Sequence, residues 1–251
     1  MHPDEYLESL KRDGGTVAEL AGGDLGGVVP ACPGWTLDTL VNHLGRVHRW
    51  ATNVILRGDA GDRPPFPDAP AAVSRAWFEE GLDGLVGALT EAGPDAPVWT
   101  FPGAATKTVR FWHRRQAQET SMHRWDAQSA CVGAANVVEP DPIDTELAVD
   151  GVDELLDQFA GPMRQLRQQE PLELGGVVHL HATDSPHGEW LVRTQGRELL
   201  VGHGHENADA TVQGTASDLL LWLWRRAPLD RLEVSGDAAM VDRWHEVLPS
   251  P

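Results

Sequence analysis

Apolar and polar residues in the first half of the chain recur with the period of a helix. A run over residues 4–20 ends at "AGGDLGG", a glycine-rich stop. "VVPACPGW" then reads as rigid extended chain, because proline fixes its own backbone and biases the residue before it. Thr36 is placed to cap a second helix, and Asp38 in its first turn suits the helix dipole. Leu37, Val41, Leu44, His48, Ala51 and Ile55 share one face of that helix. Residues 57–70, "RGDAGDRPPFPDAP", predict a loop, since Gly, Asp and four prolines cannot continue a helix. A third helix is predicted over 71–92. "TFPGAATKTVRF" reads as a turn or short hairpin, and a fourth helix follows over 110–132. Four helices with these connections predict an up-down bundle.

After "VVEPDPID" the period changes. One more helix is predicted over 144–168. Then "VVHLHAT", "GEWLVRTQ", "RELLVGHG" and "DATVQG" show two-residue alternation or β-branched content between turn residues. "RLEVSG" is also strand-like, and "ASDLLLWLWRR" and "DAAMVDRWHEVL" are amphipathic helices. Trp222 and Trp224 read as core residues. Strands grouped together with helices beside them predict α+β, not a wound parallel sheet. The expected organisation is a helical bundle over 1–138 and a small α+β domain over 139–251.

Composition narrows the class. A chain of 251 residues, 41% hydrophobic and 23% charged, fits a soluble globular protein of one large or two modest domains. No apolar run approaches the roughly 20 residues of a membrane span. The start lacks the basic-then-apolar build of a secretory signal, so the expected location is cytoplasmic. A net charge of -18 speaks against a nucleic-acid partner. Cys32 and Cys131, far apart and outside any CxxC, are expected as free thiols, with Cys32 the more accessible. No fixed-period repeat is evident, and no G-x-S-x-G, P-loop or dinucleotide fingerprint is present.

Candidate chemistry concentrates in "QETSMHRWDA". Glu119 and His123 are four apart, so a carboxylate and an imidazole share one face of the fourth helix, together with Trp112, Gln116, Asp126 and Ala130. One imidazole from the second helix would complete a His2Glu set with a vertex left over, the arrangement of a catalytic zinc ion. The rival reading is an ordinary ion pair between Arg115 and Glu119. Spacing leaves the second-helix histidine open: His48 lies within the apolar stripe and His43 on its flank. A second group competes. His179 and His181 point to one face of a strand, and His187, His203 and His205 follow, with no acidic or thiolate partner whose spacing fixes a site.

"VPACPGWTLDTLVNHLGRVHRWA", "QETSMHRWDAQ", "VHLHATDSPHGEWLV" and "LLLWLWRRAPLDRLEVSGDAAMVDRW", in this order over nearly the whole chain, resemble the mycothiol-dependent maleylpyruvate isomerase family of actinobacteria. The resemblance implies a DinB-like metal-binding four-helix bundle followed by a C-terminal sterol-carrier-like α+β domain. It also implies a divalent metal, normally zinc, held by His43, Glu119 and His123, and mycothiol as thiol cosubstrate. His48 or Asp126 would then orient a ligand or accept a proton. The expected enzyme is an isomerase or S-transferase in which a metal-bound thiolate adds to a small electrophilic substrate. Arg46, Arg115 and Arg124 are the cations on hand for an anionic one. Two alternatives stand beside it: a non-enzymatic module binding lipid or a small molecule, and a zinc-dependent hydrolase.

Overall fold

The computed structural model describes residues 1–58, 63–133, 138–162 and 171–248. The chain divides into two compact units, Met1–Ile143 and Asp144–Pro251. The division falls after residue 138 because Arg124 and Gln128 hold Asp141 and Pro142 against the fourth helix.

Local sequence explains where the helices begin. α1 (Pro3–Leu20) starts at a capping box: the His2 ring accepts from the Asp4 N–H, and Glu5 reaches back to the His2 N–H. α2 (Leu37–Arg57) is capped by Thr36, whose hydroxyl accepts from the Thr39 N–H at 3.4 Å, as its sequence predicts. α3 (Arg75–Ala92) begins later than its pattern suggests, because Ser74 takes the cap by accepting from Trp77 N–H at 3.2 Å. α4 (Val109–Ala130) follows a bridge between Pro97 and Thr108, the expected short hairpin. Of the loop expected over 57–70, residues 59–62 lie outside the described residues.

α1 packs on α3 and α4, and α2 also packs on α3 and α4. The first two helices therefore lie across the bundle from each other. A plain up-down chain would set them side by side; here the long connection over 21–36 crosses instead. One apolar cluster gathers Leu10, Trp50, Val54, Leu85, Leu89 and Trp112. Another gathers Val17, Leu37, Val41, Leu44, Phe78 and Ala127, with buried Cys131 beside it. Each large side chain so buried contributes roughly 1.5–3 kcal/mol.

In the second unit, α5 (Thr145–Glu154) continues into a π-helical turn, Leu155–Ala160. The end of the helix expected to 168 lies outside the described residues, which omit 163–170. A five-stranded sheet follows: β1 (Val178–Ala182), β2 (Glu189–Gln195), β3 (Glu198–His203), β4 (Ala210–Gly214) and β5 (Glu233–Gly236), in the order β3-β2-β1-β4-β5. Among the described strands the β1–β4 pair is parallel and the other pairs are antiparallel. α6 (Ala216–Leu223) packs on α5, β1 and β4. Trp222 is core, 5.5 Å from the Trp244 ring, while Trp224 is half-buried against Phe159. The closing helix is split into α7 (Ala238–Asp242) and α8 (Trp244–Val247) at Arg243, whose guanidinium donates to the Leu174 carbonyl at 3.2 Å. Among the described residues no helix is long and apolar enough to cross a membrane.

Candidate metal centre

α4 is polar in sequence yet buried on nearly every side. Arg115, Gln116, Gln118, Thr120, His123, Arg124, Asp126 and Gln128 all lie below the surface. Polar groups are costly to bury without partners, so the partners reveal what the helix does. At its C-terminal end, Arg124 donates to Gln128 at 2.8 Å and to the Pro142 carbonyl at 3.1 Å, and lies 3.7 Å from Asp13. That network is structural.

One turn earlier the helix meets α2. Glu119 Oε1 lies 3.5 Å from His43 Nε2 and 3.4 Å from His123 Nε2. One ligand atom from each residue lies within 4.8 Å of the other two. His43 and Glu119 are partly exposed and His123 is buried, so the cluster has a protein-facing side and an open one. The other carboxylate oxygen, Oε2, accepts from Arg115 Nη2 at 2.6 Å. Arg115 is itself buried, so this is not the surface pair that its spacing allows. Arg115 holds one oxygen and leaves the other facing two imidazoles.

The second ring nitrogen of His123 settles its orientation. Nδ1–H donates to Asp126 Oδ2 at 3.0 Å, which aims the Nε2 lone pair at Glu119 Oε1. A lone pair opposite a carboxylate oxygen needs a proton or a cation between them. Without a metal it takes a proton: burial opposes charge on His123, but Asp126 and Glu119 outweigh it and push the pKa up to about 9. Burial likewise opposes charge on Glu119; Arg115, with His123 and His43, holds its carboxyl well below the usual range. Two imidazoles and one carboxylate oxygen gathered within 4.8 Å are the donor types of a catalytic zinc ion, so these residues fit one.

A tight turn covers the cluster. Trp35 N–H donates to the Cys32 carbonyl at 2.9 Å, with Pro33 and Gly34 between them. Gly34 has φ 83, the left-handed value that a type II turn requires at this position. The turn brings the Trp35 ring within 5.0 Å of His43 and 6.2 Å of His123, centroid to centroid. It also sets the half-buried Cys32 thiol 3.9 Å from Asp126 Oδ2, as a donor. Sequence reading missed both residues at this site. The quoted "CPGW" carries their signal, a proline–glycine pair ahead of the second helix.

The remaining candidates fall elsewhere. His48 is fully buried, hydrogen bonded through Nε2 to Thr120 Oγ1 at 2.9 Å and packed on Phe78. Burial lowers its pKa to about 3, so it is neutral at physiological pH. Arg46 donates to the Pro67 carbonyl at 2.8 Å and lies over the Phe66 ring. Of the three arginines named as cations, only Arg115 touches the cluster.

A bundle that gathers two histidines and a glutamate from facing helices, joined to a small mixed sheet, defines a two-part class of helical proteins with a candidate metal centre. Residues 8–128 match the mycothiol maleylpyruvate isomerase N-terminal domain, and residues 146–243 match the MDMPI C-terminal domain. The chain belongs to the mycothiol maleylpyruvate isomerase family. In fold it is similar to a crystal structure of the mycothiol-dependent maleylpyruvate isomerase, with TM-score 0.62 and 16% identity, covering 94% of this chain and 93% of that one. A histidine-to-alanine mutant of that enzyme matches over the same shares at 15% identity and TM-score 0.62. Among curated proteins no sequence matches.

Proposed function

We propose that the protein is a zinc-dependent, thiol-using isomerase whose metal is held by His43, Glu119 and His123. Mycothiol is the thiol and a small conjugated electrophile the substrate. Reversible addition of the thiolate turns a double bond into a single bond, and rotation before elimination exchanges cis for trans. The observation that carries this reading is the convergence of three donor atoms, within 4.8 Å of one another, on the open side of the bundle. Family membership supports both the thiol and the reaction type.

A divalent ion bound there supplies one thing: it keeps a coordinated thiol deprotonated at neutral pH. The chain supplies the rest. His43, Glu119 and His123 would hold such an ion and would leave room for a thiol beside it. Asp126 fixes the His123 tautomer, and Arg115 keeps Glu119 to one facing oxygen. Trp35 walls the site against water. His48 stays neutral and packs α2 on α4 through Thr120. A cytoplasmic location fits a thiol cosubstrate.

The test is elemental analysis of the purified wild type and of His43→Ala and Glu119→Ala, followed by an isomerase assay with and without low-molecular-weight thiol. Bundle-bound zinc lost in both variants, with thiol-dependent turnover lost alongside, is the expected result. Turnover that persists without thiol would move the reading to hydrolysis. S-alkylated thiol as the end product would move it to S-transfer.

A further inference from the structure

The sheet of the second unit carries another histidine cluster, built by strand register. His179 and His181 lie on one face of β1, and His181 sits directly opposite Glu189 on β2. The carboxylate that hairpin spacing did not reveal is thus beside them. His181 Nδ1 is 2.9 Å from Glu189 Oε1, and His179 Nε2 contacts Oε2. His205 arrives from the chain after β3. Gly204, at φ 125, breaks the strand while its N–H donates to the Glu189 carbonyl, which swings His205 Nδ1 to 3.3 Å from Glu189 Oε2. His203, opposite Trp190 in the register, faces the other side, 3.9 Å from Asp153.

We propose that His179, His181, Glu189 and His205 form a second divalent-cation site, separate from the bundle cluster and taking a zinc-like ion. One donor atom from each of the four lies within 4.8 Å of the other three. The rings stand mutually edge-on, with centroids 5.0, 5.8 and 6.0 Å apart and planes at 85–89°. A carboxylate alone could accept three N–H bonds. What favours an ion is that three imidazoles and a carboxylate, the donor types that zinc takes, each bring one atom to this cluster. The exposed His205 borders a surface cavity with Glu206 and Asn207, which provides an entry path. Four protein ligands fill a tetrahedral sphere, so the site is structural: it clips the β3–β4 connection to β1 and β2.

The experiment uses the full chain, stripped with chelator and titrated with Zn2+, in the His43→Ala/Glu119→Ala background that removes the bundle ligands. About one zinc per chain is expected to bind there. Co2+ in its place is expected to give the intense visible bands of four-coordination. Adding His205→Ala, an exposed position that leaves the fold intact, is expected to weaken binding by more than the roughly 10–100-fold seen for lost outer-shell partners. Glu189→Gln is expected to do the same. No zinc uptake in the bundle-negative background overturns the inference, and so does uptake indifferent to both substitutions. Wild type binding one zinc and the bundle-negative chain none overturns this site while leaving the bundle reading standing.

Discussion

Both clusters are made of histidine and glutamate, and they differ in what surrounds the common point. In the bundle, His43 and Glu119 come from helices far apart in the chain, three side chains converge, and an arginine holds the spare carboxylate oxygen. In the sheet, neighbouring strands and one connection bring four side chains together, and Glu189 uses both oxygens toward imidazoles. Three ligands leave a vertex where chemistry can occur; four close the sphere. On the proposed readings the same residue types would therefore serve reaction in one unit and cohesion in the other. The fold makes that choice through the number of donors it delivers.

The most drastic way to break this comparison is to remove a bundle ligand. His43→Ala and Glu119→Ala are expected to lower thiol-dependent kcat/KM on the order of 1000-fold, since a metal supplies several kcal/mol of stabilisation to such a reaction. Steady-state assay of zinc-loaded variants checks it, and a loss under tenfold would contradict an open catalytic vertex. Chelation sharpens the other half. With zinc near 100 times its dissociation constant, a closed site adds about 2.7 kcal/mol to unfolding stability. Urea unfolding with and without chelator should show a change of this size in the bundle-negative chain, and His205→Ala should abolish most of it.

Asp126→Asn tests whether the bundle depends on its supporting groups. The amide still reaches His123 Nδ1 but no longer carries the charge that favours Nδ1–H. Loss of such a partner costs about 10–100-fold in metal affinity or activity. Competition against a chromophoric zinc chelator measures it, and unchanged affinity would reduce Asp126 to a packing role.

How far these sites can be read in advance follows from geometry. α2 is amphipathic with a hydroxyl cap, so its stripe and its start are visible in its residues. The Glu119–His123 pair is visible because four residues make about one helical turn. Periodicity could not choose between His48, within the apolar stripe, and His43, on its flank; the family resemblance pointed to His43. The structure seats His48 against Phe78 and Thr120 and turns His43 toward Glu119. The turn that carries Trp35 and Cys32 is legible in its proline–glycine pair, but its landing against a helix distant in sequence is not. Glu189 was illegible because the loop over 183–188 hides the register that sets it opposite His181.

Acid probes the packing histidine. His48 is fully buried, and its pKa falls from 6.5 to about 3, first through burial and then against the pull of Glu119, with Arg49, His123 and His43 also disfavouring charge. Below pH 6.5 the unfolded chain takes a proton that the folded chain refuses. Stability from this residue is therefore complete above pH 6.5 and is lost as pH falls toward 3. By pH 4.5 the loss amounts to about 2–3 kcal/mol. Denaturation across this window should slope more gently in His48→Gln than in wild type; equal slopes would show that residue 48 is not held neutral.

The smallest expected effect concerns the bond between His48 and Thr120. Thr120→Val keeps the volume and removes the hydroxyl, leaving His48 Nε2 buried without its partner. An orphaned buried group costs about 1–3 kcal/mol, and a neutral imidazole in a packed core belongs at the low end. The decisive readout is the split between stability and metal. Thr120 follows Glu119 directly, but its side chain serves His48, so unfolding free energy should drop by about 1 kcal/mol while zinc affinity holds. If zinc affinity fell instead, His48 would be positioning the bundle cluster through α4. The division between a packing histidine and a ligand histidine on the same helix would then dissolve.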